Sequence, residues 1–273
     1  MKISNTWIRI IVSLVTIPVI TFVSYTGNYY FFSFVLLIGL LSYYEYRLLV
    51  KSKNINVSLI PGLTAVLLII INSFLFICPP LILFFLIVTL ILLEELFLGN
   101  GSAINNLGGS FLGIFFIGLF SSSLILIREH FNQTVLPYES GGYLIISILA
   151  TIWICDSAAF FVGTAIGKHK IFPRVSPNKS VEGSIAGFVF AIISIAAAKL
   201  IVLDFLSWED IIVIGIIVGV FGQIGDFVES LIKRDADAKD SSQLIPGHGG
   251  FFDRFDSLLF SSPLIYIYLY YFI

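Results

Sequence analysis

Charged residues are scarce in this chain. Asp, Glu, Lys and Arg make up only 12% of its 273 residues, whereas 58% are hydrophobic. A water-soluble domain of this length carries about 25% charged residues. The shortage excludes a soluble globular domain, and no stretch of the sequence is polar enough to form a separate one. We therefore predict a single membrane domain over residues 1–273.

Cysteine is also rare, and neither positive nor negative charge is in large excess. The two cysteines, Cys78 and Cys155, both stand in apolar surroundings, which excludes a disulfide framework and a zinc site. The formal net charge is only −2, so no nucleic-acid partner is expected. No small-residue cleavage site follows the first apolar run, which we interpret as a retained helix. No internal repeat of the kind found in inverted-topology transporters is visible.

Long apolar stretches, in contrast, fill most of the chain. A bilayer core of about 30 Å needs about 20 mostly apolar residues in a helix. The sequence therefore predicts an all-α, polytopic integral membrane protein with about nine transmembrane helices. The predicted spans are 7–25, 29–49, 58–78, 80–98, 107–127, 142–164, 184–203, 210–231 and 256–273.

The Lys and Arg residues give the predicted orientation, because they favour cytoplasmic loops. With the N-terminus in the cytoplasm and the C-terminus outside, all 15 except Arg128 and Lys199 fall on the cytoplasmic side. Those two lie outside or at outer helix ends. We interpret 1–130 as N-terminal helices of scaffold type, and 142–273 as catalytic helices with cytoplasmic loops.

The chemically unusual residues lie in or beside the two long cytoplasmic connections. Asp226, Glu229 and Lys233 follow one another at i, i+3 and i+7, which predicts one face of a helix. Acidic side chains at membrane depth are costly and normally face the bundle interior or water. The alternative is helix-end snorkelling with an ordinary pair between Glu229 and Lys233.

The second connection then runs through Gly247-His248-Gly249-Gly250 to Asp253 and Asp256. Closely spaced glycines allow backbone amides to approach an anion. Because Mg²⁺ prefers oxygen ligands, often carboxylates with substrate phosphates, Asp226, Asp253 and Asp256 are candidate metal ligands. A lone histidine in such a loop is, however, more often structural than catalytic. Four neighbouring cations are candidates for holding phosphate groups: Lys233, Arg234, Lys239 and Arg254.

The whole arrangement resembles the signature of the phosphatidate cytidylyltransferase family. The residues that carry the resemblance are Ser230, Lys233, Arg234, Lys239, Asp240, Pro246-Gly247-His248-Gly249-Gly250, Asp253, Arg254 and Asp256. An upstream block agrees at Asp156, Ala159, Phe160, Gly163, Gly167-Lys168-His169-Lys170, Ser176, Pro177, Lys179, Ser180, Glu182 and Gly183. Val181 departs from the family, which commonly has a tryptophan there. The resemblance extends over 150–273, and the first half of the chain matches only in hydropathy.

The resemblance implies transfer of CMP from CTP to phosphatidic acid within the lipid bilayer, as a step of phospholipid biosynthesis. It implies Mg²⁺ as cofactor, with a second cation and a homodimer as open alternatives. It also implies a bacterial inner (plasma) membrane, with the active site on the cytoplasmic side. The implied catalytic residues are Asp226, Lys239, Asp240, His248, Asp253 and Asp256. The implied substrate-binding residues are Asp156, Lys179, Glu182, Glu229, Lys233, Arg234, Gly249, Gly250 and Arg254.

Two other interpretations stay open at this point. One is an enzyme that uses similar nucleotide chemistry on another lipid, such as a polyprenol or phytol kinase-like protein or an archaeal lipid cytidylyltransferase. Such a relative should lack the full block from Gly247 to Asp256. The other is an ion-coupled transporter with Asp156 and Asp226 as coupling residues. The absence of repeats and the clustering of charge at one face argue against it.

Overall fold

Helices make up the regular secondary structure of this chain. The computed structural model describes residues 5–245 and 249–273, and within them the only β-structure consists of the isolated bridges Lys170–Ser180 and Ile245–Gly249. The predicted all-α class is therefore confirmed for the described residues. The helices are α1 Asn5–Thr26, α2 Asn28–Lys51, α3 Ile60–Leu75, α4 Pro80–Leu98, α5 Ala103–Gly113, α6 Phe120–Glu129, α7 Glu139–Ile166, α8 Val181–Ile201, α9 Trp208–Ile216, α10 Gln223–Asp235 and α11 Phe252–Phe272.

Two pairs of these helices are continuous through π-helical turns. Ile114–Leu119 joins α5 to α6, and Ile217–Gly222 joins α9 to α10. Each turn places a glycine against a neighbouring helix: a Cβ at Gly118 would lie 3.1 Å from Ile69, and one at Gly219 would lie 3.0 Å from Phe188. Small residues at these crossings let the helices approach closely.

The described helices include several that suit a membrane. Six are long and apolar enough to cross one, judged by length and composition, whereas the apolar helices Val12–Thr26 and Ile60–Leu75 are shorter. An integral membrane protein is thus supported. Each predicted span overlaps one helical segment, but nine crossings and a cytoplasmic N-terminus stay predictions. The six are Asn28–Lys51, Pro80–Phe97, Ala103–Asn132, Glu139–Ile166, Val181–Ile201 and Trp208–Asp235.

The described residues divide into two compact units. The first unit contains the described residues up to Ile20, with Asn28–Leu126 and Ile232–Phe255. The second contains Thr21–Gly27, Ile127–Leu231 and Asp256–Ile273. Candidate site residues occur in both units. Those in the first are Lys233, Arg234, Lys239, Asp240, Gly249, Gly250, Asp253 and Arg254, and those in the second are Asp156, Lys179, Glu182, Asp226, Glu229 and Asp256.

In the first unit, buried tyrosines fix the position of α2. The hydroxyl of Tyr43 donates to the carbonyl of Ser58 at 2.7 Å, and that of Tyr46 donates to the carbonyl of Gly109 at 2.9 Å. Both tyrosine side chains are almost fully buried, so each hydroxyl needs such a partner. These bonds tie α2 to the α2–α3 connection and to α5.

In the second unit, α8 lies directly against α7. A Cβ at Gly183 would stand 2.6 Å from the carbonyl oxygen of Ala159, and one at Gly187 would stand 3.0 Å from that of Cys155. Glycines one turn apart therefore let the two backbones meet. The hydroxyl of Ser180 caps the start of α8 by accepting the amide of Gly183 at 3.2 Å. This contact fixes the beginning of α8, beside two candidate substrate-binding residues.

Arg128 is fully buried in the second unit. Its guanidinium donates to the carbonyls of Ser24 and Tyr25, each at 2.7 Å, and to that of Tyr138 at 3.1 Å. It also lies 4.3 Å from the centroid of the Tyr138 ring. The sequence placed this arginine outside or at an outer helix end. The structure has it in the last turn of α6, where three carbonyl dipoles compensate its buried charge.

Candidate active site

In the second unit, an ion pair joins the upstream motif block to an acid that stands four residues before the downstream block. The ammonium of Lys179 donates to the Oδ2 atom of Asp226, 47 residues further along the chain. Lys179 also lies 4.6 Å from the centroid of the Phe227 ring, and the hydroxyl of Ser230 donates to Asp226 Oδ1 at 3.2 Å. The side chains of the pair are 32% and 29% exposed, so solutes can reach both.

Glu182 organises the connection that precedes Lys179. Its carboxylate accepts the backbone amides of Lys168 at 3.1 Å and His169 at 3.2 Å. The Nδ1 atom of His169 lies 2.6 Å from the same carboxylate. Glu182 stands in the first turn of α8, where the helix dipole favours a negative charge. The structure thus joins Glu182 to a histidine that was part of the motif but not of the predicted site.

The carboxylate of Asp256 lies within the electrostatic influence of other charged side chains of the second unit. Asp256, near the start of α11 and 9% exposed, interacts in this way with Asp226, Asp156 and Lys179. Its Oδ1 atom accepts the amide of Ser257 at 2.5 Å. Carboxylate oxygens are the type of ligand that a hard cation such as Mg²⁺ prefers. Within the described residues, however, no group of three or more His, Cys, Asp or Glu side chains is arranged to hold a metal ion.

Glu229 is fully buried on α10, one turn after Asp226. This burial agrees with the expectation that an acidic side chain at membrane depth faces the interior. In the first unit, Lys233 of the same helix donates to Asp253 at 2.7 Å. The side chains of this second ion pair are only 11% and 4% exposed, so it is the less accessible of the two pairs.

Asp253 accepts further hydrogen bonds from its own loop. Its Oδ2 atom accepts the amide of Ser241 at 2.9 Å and the amide of Gly250 at 2.8 Å. The hydroxyl of Ser241 lies 3.0 Å from the same oxygen. Gly249 has a φ of +85°, a conformation that glycine adopts without steric cost. The predicted metal ligand Asp253 is therefore already bonded to a lysine and to loop donors.

Sequence reasoning missed Glu45, a fully buried carboxylate on α2 of the first unit. It accepts the hydroxyls of Ser241 at 2.8 Å and Ser242 at 2.6 Å. It also accepts the backbone amides of Phe251 at 2.9 Å and Phe252 at 2.8 Å. The sequence did carry one signal, because Glu45 is an acidic residue inside the predicted span 29–49. An acidic residue within a membrane span is by default a candidate functional residue.

The other candidate residues of the first unit lie at its surface. The guanidinium of Arg234 donates to the carbonyl of Ala238 at 2.9 Å, while Lys239, Asp240 and Arg254 are exposed. The predicted catalytic residue His248 lies outside the described residues. No structural role can therefore be assigned to it.

The turn after α10 is also tied to the connection that follows α2. Lys53 donates to Asp237 at 2.7 Å, and this hydrogen bond is the main influence that raises the pKa of the Lys53 ammonium. The hydroxyl of Ser52 donates to the carbonyl of Ala236 at 3.2 Å. Asp237 itself has a φ of +55°. These bonds fix the backbone immediately before Lys239 and Asp240.

Comparisons with known proteins cover nearly the whole chain. A model described as the cytidylyltransferase family matches residues 7–272. The phosphatidate cytidylyltransferase of Bacillus subtilis (strain 168) is 32% identical over 273 aligned residues, which cover 96% of each chain. That of Staphylococcus saprophyticus is 41% identical over 132 residues, covering 48% of this chain and 50% of that protein. That of Staphylococcus aureus (strain COL) is 41% identical over 133 residues, with the same coverage. The similarity therefore includes the first half of the chain, where the motifs gave no match.

Proposed function

The chain belongs to the cytidylyltransferase family, and we propose that it transfers CMP from CTP to phosphatidic acid, forming CDP-diacylglycerol and pyrophosphate. The substrate assignment rests on the similarity over 96% of the chain to a protein named phosphatidate cytidylyltransferase. The structural observation that carries it is the ion pair between Lys179 and Asp226, because it joins a residue of the upstream motif block to a predicted metal ligand at an accessible point.

The proposed reaction needs little covalent chemistry from the protein. An oxygen of the phosphatidate phosphate bonds to the α-phosphorus of CTP, and the bond from that phosphorus to the bridging α–β oxygen breaks. The electron pair leaves with pyrophosphate. The attacking phosphate is already anionic at neutral pH, so no strong base is required. The barrier arises from bringing one anion to another, which enzymes lower by positioning and by neutralising charge.

The proposed roles follow from this electrostatic problem. Lys179 would share its ammonium between Asp226 and a phosphate of the nucleotide, and the exposed Lys239 and Arg254 would neutralise phosphate charge. Further roles in phosphate binding are proposed for Lys233, Arg234, His248 and the amides of Gly249 and Gly250. Asp156, Glu182, Glu229 and Asp240 remain proposed members of the site.

Mg²⁺ remains the proposed cofactor, with Asp226, Asp253 and Asp256 as ligands on the strength of the motif. Bound Mg²⁺ would neutralise phosphate oxygens of CTP and make the α-phosphorus more electrophilic. Asp226 and Asp256 belong to one unit, and a Cβ at Gly225, next to Asp226, would stand 2.9 Å from the carbonyl oxygen of Asp256. For Asp253 the role requires displacement of Lys233. A second cation and a homodimer remain open parts of the proposal, which places the site on the cytoplasmic side of a bacterial plasma membrane.

Release of pyrophosphate by the purified protein tests this function. With Mg²⁺ present, we expect pyrophosphate to be released from CTP only when phosphatidic acid is added. The amount of pyrophosphate should equal the amount of CDP-diacylglycerol formed. Release that is independent of phosphatidic acid would contradict the lipid substrate. An absence of release under all these conditions would contradict nucleotidyl transfer itself.

A further inference from the structure

We propose that Glu45 of α2 is a positioning residue for the 241–253 segment, which the structure describes at 241–245 and 249–253. The catalytic consequence of this proposal rests on the proposed function. Glu45 does not belong to either motif block, and it precedes the segment by about two hundred residues. Its hydrogen bonds nevertheless reach both ends of the segment.

The four hydrogen bonds fill both oxygens of the Glu45 carboxylate. Oε1 accepts the hydroxyl of Ser242 and the amide of Phe251, and Oε2 accepts the hydroxyl of Ser241 and the amide of Phe252. A buried carboxylate without donors is very costly, whereas charge-assisted hydrogen bonds are stronger than neutral ones. The arrangement therefore fixes four groups of the segment around one side chain.

One candidate catalytic residue stands directly before the segment, and another is its last residue. Asp240 directly precedes Ser241, and Asp253 directly follows Phe252. The hydroxyl of Ser241 lies 2.8 Å from Glu45 and 3.0 Å from Asp253. Because a hydroxyl has one proton, Ser241 donates to one of these carboxylates at a time. Glu45 therefore shares Ser241 with Asp253, the acid that forms the ion pair with Lys233.

The position of Glu45 also gives a reason for the glycine at 250. A Cβ at that position would overlap the hydroxyl of Ser241 and the carboxylate of Glu45. A side chain there would have to displace one of these two groups. Gly250 is thus needed to leave space for Glu45, in addition to any approach of its amide to an anion.

The helix that presents Glu45 is itself held in place. Tyr43 and Tyr46, on either side of it in sequence, are buried and donate to backbone carbonyls outside α2. Positioning by a buried polar side chain is effective when its own backbone is fixed. Glu45 therefore holds the described ends of the segment against a helix whose own position is fixed.

Glu45→Gln in the full-length protein tests this role. Glutamine has nearly the same shape, but its NH₂ group would face a backbone amide whichever way it turns. That amide loses its acceptor, and the serine hydroxyl on the same side has to accept instead of donate. We expect kcat for CMP transfer to fall about tenfold or more, with KM for CTP changed less than about threefold. Glu94→Gln, on α4 of the same unit, makes the same chemical change and should stay within about twofold of the wild type.

Hydrogen exchange supplies a measurement that does not depend on activity. In Glu45→Gln, a peptide containing Gly250, Phe251 and Phe252 should exchange faster, while Ile60–Leu75 of the same unit keeps its wild-type rate. Faster exchange in both regions would mean that Glu45 only stabilises the fold, and unchanged exchange and kcat would also overturn the proposal. If the wild type makes no CDP-diacylglycerol, the proposed function fails, while the exchange result still decides whether Glu45 holds the segment.

Ser242→Ala provides a milder variant if Glu45→Gln does not purify as a folded protein. It removes one of the four donors, so we expect a smaller loss of kcat, about two- to fivefold. Where both variants fold, the double variant should lose little more than Glu45→Gln alone, because both changes disturb one arrangement. Independent, multiplying losses would show that Ser242 acts separately from Glu45 and would contradict the proposal.

Discussion

The carboxylate of Glu45 accepts the backbone amide of Phe252, 207 residues later in the chain, at 2.8 Å. Phe252 is the first residue of α11, and the first amides of a helix have no partner within it. Glu45 therefore satisfies the start of α11 from another helix, where a negative charge is also favoured by the helix dipole. Through this contact, a helix interpreted as scaffold meets the backbone that carries Asp253.

The first prediction concerns the accessible ion pair. Asp226→Asn should lower kcat for CMP transfer by more than about tenfold, a barrier change of roughly 1.4 kcal/mol. The reason is that Lys179 loses its charged partner and the proposed cation loses a ligand. Steady-state assays of protein that elutes as one folded species measure the effect. Asp204→Asn, at an exposed position, is the control, and equal activity of the two variants would remove Asp226 from the mechanism.

The second prediction concerns the exposed Lys239. A lysine that only attracts anionic lipid contributes about 1 kcal/mol and is screened by salt. A lysine bonded to a phosphate in a partly dehydrated site contributes about 1.5–3 kcal/mol. We therefore expect Lys239→Ala to lower kcat/KM for CTP about tenfold to a hundredfold, at high salt as well. Lys51→Ala should change little; small losses for both variants that vanish with salt would contradict the placement.

A third prediction uses two glycines with different surroundings. At Gly250 a Cβ would overlap Ser241 and Glu45, whereas at Gly108 the added Cβ meets no atom within 4 Å beyond its own stretch of helix. Gly250→Ala should therefore abolish most activity and lower the thermal midpoint. Gly108→Ala, inside α5, should be neutral or should stabilise the helix by up to about 1 kcal/mol. Wild-type activity of Gly250→Ala would mean that Ser241 and Glu45 can shift away from the added Cβ without any effect on the reaction.

The sequence predicted the parts of this protein that follow from local patterns. Apolar runs predicted the helices. The upstream block indicated Lys179, the acidic face of a predicted helix indicated Asp226, and the structure brings the two together. It did not predict the contacts of Glu45, because spacing along one helix carries no information about donors some two hundred residues away. For the same reason the sequence indicated the helix-end position of Arg128 but not the carbonyls of other segments that accept its hydrogen bonds.

The fourth prediction concerns the stability of the second unit. Replacement of Arg128 by Met leaves three carbonyl acceptors without their donors, and each such loss costs about 1–3 kcal/mol. The thermal midpoint in detergent should therefore fall by several degrees or more. Arg174→Met, at an exposed position, should leave the midpoint nearly unchanged. A similar midpoint for both variants would show that the carbonyls find other partners.

The orientation in the membrane is a fifth prediction, because it follows only from the distribution of Lys and Arg. In a variant without Cys78 and Cys155, a cysteine at the exposed position Val135 should react with an impermeant thiol reagent added to intact cells. A cysteine at Lys51 should react only after the membrane is opened. The reverse pattern would place the proposed site away from cytoplasmic CTP.

The position of the transferred label tests the central claim most directly. The purified protein is supplied with phosphatidic acid, Mg²⁺ and CTP labelled at either the α- or the γ-phosphorus, and the lipid product is extracted. Transfer of CMP predicts labelled lipid from α-labelled CTP only, in an amount that falls to background for Asp226→Asn and on chelation of Mg²⁺. Labelled lipid from γ-labelled CTP would show a kinase reaction, and the account of CMP transfer would then be wrong.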